Sequence, residues 1–150
     1  MLITSTKSTP ISDNVSNVAI SMTSIPSRFD HLTECLQSWL NQDIKPSYIF
    51  LFIPKQYKRF KRKHNNNEDI SFSKTLITIL NSSITLKEHI DNIIHIIEVD
   101  YDWGPITKVM GMLQYNSDWY LSHSNKQPDY WIICDDDVKY LPRTINDYML

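Results

Sequence analysis

Four short apolar runs, separated by stretches of helical character, most constrain the fold of this chain. They are residues 17–22 (NVAISM), 48–53 (YIFLFI), 93–99 (IIHIIEV) and 129–137 (DYWIICDDD). The second run is almost continuously apolar, as expected of a strand buried on both faces of a parallel sheet. Between the first two runs, apolar residues recur at spacings of three and four and predict a helix over residues 29–41. The alternation predicts an α/β domain with a mostly parallel sheet flanked by helices.

Three consecutive aspartates, Asp135, Asp136 and Asp137, end the fourth run. If the strand continued through them, Asp135 and Asp137 would share one face and Asp136 would point to the other. Ligands of open α/β sheets bind beyond the carboxyl ends of the strands, and carboxylate oxygens there suit Mg²⁺ or Mn²⁺. We therefore expect Asp135 and Asp137 to hold a divalent metal. A solvated acidic turn that caps the next helix is the alternative.

A second polar segment, residues 102–108 (DWGPITK), follows the third run. Gly104 before Pro105 predicts a helix start, and the apolar pattern predicts a helix over residues 105–115. This helix N-terminus would lie at the same sheet edge as the aspartates. Its free N–H groups and Lys108 in the first turn suit a phosphate. An ordinary strand-to-helix turn with a surface lysine is the alternative.

Composition limits the number of domains and the kinds of partner. The 150 residues, 41% of them hydrophobic, are enough for one globular core. A net charge of −2 gives no overall electrostatic reason to expect nucleic acid or a membrane surface. We interpret the six cations within residues 55–63 as a solvated surface; contact with phosphates, acidic lipid or nucleic acid is the alternative. No apolar run approaches about 18 residues, so we expect no membrane span, no signal peptide and, by default, a cytoplasmic protein. Cys35 and Cys134 are expected to be buried, reduced thiols.

Four segments together resemble the N-terminal, donor-binding half of family-2-like glycosyltransferases, which have the GT-A fold. The segments are residues 21–28 (SMTSIPSR), 48–55 (YIFLFIPK), 102–108 (DWGPITK) and 132–142 (IICDDDVKYLP). Their common order and their placement at the ends of predicted strands are more specific than any one motif. The similarity spans residues 17–150, and residues 1–16 are expected to be a flexible lead-in.

The resemblance implies a Rossmann-like, nucleotide-sugar binding domain. Such an enzyme transfers a sugar, here of hexosyltransferase type, from a nucleotide-diphospho-sugar to an acceptor that is a glycan, a protein or a lipid. The acidic segment corresponds to the family's DxD motif. On that basis Asp135 would lie near the donor's ribose or the metal, Asp137 would bind Mn²⁺ or Mg²⁺, and Asp136 could serve either task.

The other motifs imply further donor contacts. Thr23, Pro26 and Arg28 match the family's loop after the first strand, which lines the nucleotide pocket. Asp102 and Lys108 match a loop and helix start near the donor, with Lys108 as a contact to the diphosphate. A fixed cation together with a divalent ion stabilises the charge that develops when a nucleoside diphosphate leaves.

One part of the family pattern has no match. The acceptor site and the catalytic base of an inverting enzyme come after the DxD motif, and only thirteen residues follow Asp137. The acidic residue among them, Asp147, falls in a predicted helix, so the catalytic base is unassigned. A sheet in the order 3-2-1-4 would also leave Trp131 and Ile133 on an uncovered edge strand. We therefore expect a domain that is truncated at its C-terminal end or completed by another chain.

Two other functions fit the same residues. A non-catalytic nucleotide-sugar binding or interaction module would keep the fold and lack the acceptor half. A metal-dependent phosphatase or nucleotidyltransferase would also use the aspartates, but it would give the loop after the first strand no role in the site.

Overall fold

The structure is a computed structural model that describes residues 17–58, 71–122 and 128–149, with no side-chain description for residues 116–122. The expected lead-in, residues 1–16, and residues 59–63 of the basic cluster lie outside the described residues. Four strands and four α-helices are described: β1 (Val18–Met22), α1 (Leu32–Leu40), β2 (Tyr48–Pro54), α2 (Phe72–Asn81), β3 (Ile94–Val99), α3 (Thr107–Ser122), β4 (Tyr130–Ile133) and α4 (Thr144–Met149). Short 3₁₀ turns lie at Pro26–Arg28, Lys87–His89 and Gly104–Ile106.

The four strands form one parallel sheet in the order β3-β2-β1-β4, as predicted. On β1, Ala19 lies opposite Tyr48 of β2 and opposite Trp131 of β4. Because every strand runs in the same direction, all four carboxyl ends meet at one edge of the sheet. The arrangement is an α/β fold compatible with a Rossmann-like domain.

Helices cover both faces of the sheet, and the side chains of the strands alternate between them. Val18, Ile20 and Met22 of β1 pack in the core formed with α1, α2 and Ile145 of α4. On the other face, Ala19 packs with Phe50 and Phe52 of β2 in a smaller core that includes residues of α3. Burial on both faces explains why the run over β2 is almost continuously apolar.

The start of α1 and the end of β4 differ from those predicted, for local reasons. Helix α1 begins at Leu32, because residues 26–28 form a separate 3₁₀ turn. Strand β4 ends at Ile133, so the three aspartates lie in a loop instead of continuing the strand. The amide of Cys134 still donates to the Ser21 carbonyl, but the amide of Asp135 donates to the Tyr140 hydroxyl, which turns the chain away from β1.

Helix α3 is longer than predicted and is preceded by a 3₁₀ turn. The turn contains Gly104 and Pro105, and α3 itself runs from Thr107 to Ser122. Gly104 has φ +64°, a conformation in which a Cβ atom is disfavoured. Among the described residues, no helix combines the length and the apolar character needed to cross a membrane.

Gly111 of α3 lies directly on the ring of Phe52, and this contact predicts the effect of a small substitution. A Cβ atom at Gly111 would lie 2.5 Å from Cγ of Phe52. We expect Gly111→Ala to lower the free energy of unfolding by about 1–2 kcal/mol, because overpacking outweighs the gain in helix propensity of about 1 kcal/mol. Urea denaturation measures the change.

Phe52→Ala provides the control, since it removes the Cγ and Cδ1 atoms that the added methyl group would meet most closely. In the Phe52→Ala background, Gly111→Ala should cost clearly less stability than in the wild type, because most of the overpacking is gone and the propensity gain remains. An equal loss of stability in both backgrounds would show that Phe52 does not set the cost.

Candidate functional site

A pocket of about 340 Å³ lies at the edge where the carboxyl ends of the strands meet. The segment after each of the four strands contributes to its wall, as the position rule for open α/β sheets predicts. The lining residues are Thr23, Ser24, Ile25, Arg28, Tyr57, Asp102, Gly104, Pro105, Lys108, Asp135, Asp136 and Asp137. The structure therefore brings together every site residue predicted from the sequence except Pro26.

Asp136 is the buried carboxylate of this pocket, with only 6% of its surface exposed. One of its oxygens accepts a hydrogen bond from Ser24 Oγ at 2.5 Å, and the other accepts one from Arg28 Nη1 at 2.8 Å. The hydrogen bond with Asp136 raises the pKa of Arg28, so the guanidinium stays charged. Tyr57, itself buried, donates to the Ser24 carbonyl at 2.7 Å. Asp136 thus joins the loop after β1 to the loop after β4, and its side chain has little surface left for a ligand.

Asp135 points its carboxylate at Lys108 of α3, and the two form an ion pair. The Asp135 carboxylate is 66% exposed, whereas Lys108 is 16% exposed. The backbone of each partner is held in place. Ser21 Oγ donates to the Lys108 carbonyl at 2.7 Å. The Tyr140 hydroxyl accepts from the Asp135 amide and donates to the Asp135 carbonyl, both at 3.1 Å.

Asp137 is also exposed and has a looser partner. Its carboxylate lies 3.4 Å from Arg28 Nη1, the same nitrogen that bonds Asp136. Asp136 and Asp137 thus approach one guanidinium, whereas Asp135 approaches Lys108. Asp135 and Asp137 are the exposed carboxylates and Asp136 is the buried one, which is the alternation expected from the sequence, although the strand itself ends at Ile133.

Asp102 lines the pocket, but both of its carboxylate oxygens accept backbone amides. One accepts from Gly104 at 2.8 Å and the other from Lys58 at 2.9 Å. Such bonds from an aspartate to the amide two residues on stabilise turns. Asp102 therefore orders the turn before α3 and connects it to the segment after β2.

The remaining two predicted residues shape the loop after β1. Thr23 lines the pocket, and its hydroxyl donates to the Phe52 carbonyl at 2.7 Å, which fixes the end of β1 against β2. Pro26 opens the 3₁₀ turn that carries Arg28 and does not line the pocket. Its role here is to shape the turn.

Sequence reasoning missed Ser24, Tyr57 and Tyr140. Ser24 and Asp136 are 112 positions apart, so no local spacing indicates their hydrogen bond. Tyr140 stacks on Trp39 of α1 with ring centroids 4.2 Å apart, which anchors the acidic loop from below. Ser24 and Tyr140 lie within two of the motifs, residues 21–28 and 132–142, but their presence there does not specify these contacts.

Two buried thiols lie beneath the acidic loop. Cys35 Sγ donates to the Asp135 carbonyl at 3.6 Å, and Cys134 is buried beside Trp39 and Tyr140. Burial raises the pKa of both thiols, that of Cys134 to about 12, so neither is a thiolate at neutral pH. The expectation of buried, free cysteines is confirmed.

The pocket offers a divalent metal two exposed carboxylates, those of Asp135 and Asp137. Within the described residues, no group of three or more His, Cys, Asp or Glu side chains is arranged to hold a metal by itself. Mg²⁺ commonly binds through one or two carboxylates and completes its shell with water and substrate phosphates, so the two exposed carboxylates are of the kind and number that it uses. The donor set is therefore compatible with a metal that arrives together with a phosphate ligand.

Comparisons with protein-family models, with curated proteins and with solved structures give no match to this chain.

The different burial of Asp136 and Asp137 predicts different effects on stability. Asp136→Asn should lower the free energy of unfolding by about 1–3 kcal/mol, because it removes a charge that is hydrogen-bonded in a buried position. Asp137→Asn, at an exposed position, should change it by less than about 0.5 kcal/mol. Chemical denaturation of both variants measures the difference. Equal effects would contradict the placement of Asp136 as the buried member of the three.

Proposed function

We propose that this protein is a glycosyltransferase-like protein of GT-A type that binds a nucleotide-diphospho-sugar together with a divalent cation, Mn²⁺ or Mg²⁺. The observation that carries the proposal is the convergence of the acidic loop, the loop after β1 and the turn before α3 on one pocket. These are the segments in which the sequence resembles the family. They come from strands that are far apart in the chain, and a parallel sheet is what brings them together.

The charges of the pocket favour a metal-bound donor over a free one. Its lining carries four carboxylates and two cations, Arg28 and Lys108, which is a formal excess of two negative charges. A diphosphate alone would be repelled by this excess, whereas a diphosphate whose own charge is neutralised by a divalent cation would not be. Charge therefore supports metal-dependent binding at Asp135 and Asp137.

Each residue would contribute to donor binding in a different way. Lys108, in the first turn of α3, supplies a cation at the position where the diphosphate leaves. Asp136 keeps Arg28 and the loop after β1 in place, and Thr23 closes the wall beside them. When bound, the metal supplies positive charge to the leaving diphosphate. Transfer breaks the bond between the sugar's anomeric carbon and the phosphate oxygen, and the nucleoside diphosphate leaves. The acceptor's hydroxyl oxygen forms the new bond and gives up its proton to a catalytic base, which is unassigned.

A second candidate is a binding module that does not turn the donor over. It is favoured by one observation: within the described lining of the pocket, every carboxylate already has a partner. Asp102 accepts two backbone amides, and the three aspartates of the acidic loop pair with Lys108 or Arg28. A catalytic base for the acceptor hydroxyl needs a carboxylate that is available for proton transfer.

Calorimetric titration with a panel of nucleoside diphosphates, each with and without Mn²⁺, tests the proposed donor site. We expect one nucleotide to bind in a Mn²⁺-dependent manner, and Asp137→Asn to weaken that binding by roughly tenfold or more, since it removes a metal ligand. Asp100→Asn is the matched control. Asp100 is exposed, pairs with Lys55 and does not line the pocket, so its substitution should leave the affinity unchanged.

Binding of no nucleotide in any condition would contradict the proposal, as would Mn²⁺-dependent binding that survives Asp137→Asn. Hydrolysis of the matching nucleotide-sugar, measured as release of the nucleoside diphosphate, separates the two candidates. Turnover supports the transferase, and tight binding of the intact donor without turnover supports the binding module.

A further inference from the structure

The ion pair between Lys108 and Asp135 raises a question about the proposed donor site. Lys108 is the cation best placed for a diphosphate, and Asp135 is one of the two exposed carboxylates best placed for a metal. In the structure these two side chains are ion-paired with each other. Neither is available to a ligand until the pair opens.

The two cations of the pocket are held with different strength. Arg28, 46% exposed, bonds the buried Asp136, whose second oxygen is fixed by Ser24, so the carboxylate of this pair is enclosed and supported on both sides. Lys108, itself 16% exposed, has a single carboxylate partner among the described residues, and that partner is 66% exposed. Water and mobile ions reach the exposed Asp135 carboxylate and compete with the ammonium group for it, which weakens this pair. The pair between Lys108 and Asp135 is therefore the one that a ligand can exchange.

The anchoring of both backbones limits what such an exchange involves. The Ser21 hydroxyl donates to the Lys108 carbonyl, and the Tyr140 hydroxyl is hydrogen-bonded to both the amide and the carbonyl of Asp135. Only the flexible ends of the two side chains need to move. A divalent cation can replace the ammonium group at Asp135, and the released ammonium group remains at the pocket wall, where it can bind a phosphate.

We propose that the Lys108–Asp135 ion pair is an exchangeable latch that couples metal binding to diphosphate binding: a divalent cation takes Asp135, and Lys108 transfers to the diphosphate. This inference rests on the proposed function, since it assumes that the pocket receives a metal and a diphosphate. It extends that function by assigning part of the metal dependence to the release of Lys108. Without a metal, Asp135 suppresses diphosphate binding by holding the lysine.

Asp135→Asn gives a test whose expected direction is unusual for a proposed ligand residue. With EDTA present, the variant should bind the nucleoside diphosphate about three- to tenfold more tightly than the wild type, because Lys108 is no longer held. The added benefit of Mn²⁺ should shrink by a similar or larger factor, because the metal has lost a ligand and has no lysine to release. Titration calorimetry on the folded, full chain measures both quantities.

Two matched variants separate the latch from a general effect of charge. In a Lys108→Met background, Asp135→Asn should raise metal-free affinity by a clearly smaller factor than in the wild type, because only the loss of one negative charge remains and there is no ammonium group to release. Asp100→Asn opens a second Lys–Asp pair, 2.5 Å long and outside the pocket, and should not increase affinity. Circular dichroism checks that each variant is folded.

The outcomes distinguish this inference from the proposed function. If the wild type binds no nucleoside diphosphate even with Mn²⁺, the proposed function fails and the latch fails with it. If the wild type binds with Mn²⁺ but Asp135→Asn gives no metal-free gain, or gives the same gain without Lys108, the donor site stands and the latch is overturned.

Discussion

The parallel pairing of β4 with β1 is the contact on which the rest of the site depends. It places Ser21 opposite Ile133, so the segments that follow the two strands emerge side by side. Ser21 then makes two further contacts: its carbonyl accepts the Cys134 amide, and its hydroxyl donates to the Lys108 carbonyl. One residue of the central strand thereby fixes the start of the acidic loop and the first turn of α3. Without this register, the aspartates and Lys108 would not share a pocket.

The three aspartates have different roles in the site, which follow from their different burial. A buried carboxylate is costly unless it is paired and hydrogen-bonded, and Asp136 meets that condition through Ser24 and Arg28. Asp136 therefore maintains the shape of the pocket. Asp135 and Asp137 remain largely exposed, so they can exchange their present partners for a ligand at little cost. A pocket with one fixed, buried carboxylate and two exposed carboxylates that can change partners is suited to binding a metal and an anion together.

The sequence was sufficient for those features that depend on pattern alone. Apolar runs and their order predict the parallel sheet, and the sheet predicts that the loops after its strands meet at one edge. The contacts within the site could not be predicted, because they join residues such as Ser24 and Asp136 that no periodicity relates. The extent of β4 was predicted wrongly for a local reason: the amide of Asp135 donates to the Tyr140 hydroxyl, and the strand ends at Ile133, before the aspartates.

Paramagnetic broadening by Mn²⁺ would locate the metal directly. Substoichiometric Mn²⁺ is added to isotopically labelled protein in the presence of a nucleoside diphosphate, and the loss of amide signals is followed by NMR. A metal bound in the pocket should broaden the amides of Ser24, Gly104 and Asp136, which lie in three separate loops, and leave that of Asn17 at the opposite edge of the sheet sharp. Broadening spread over exposed carboxylates such as Asp100, with the pocket unaffected, would contradict a metal and diphosphate site between these loops.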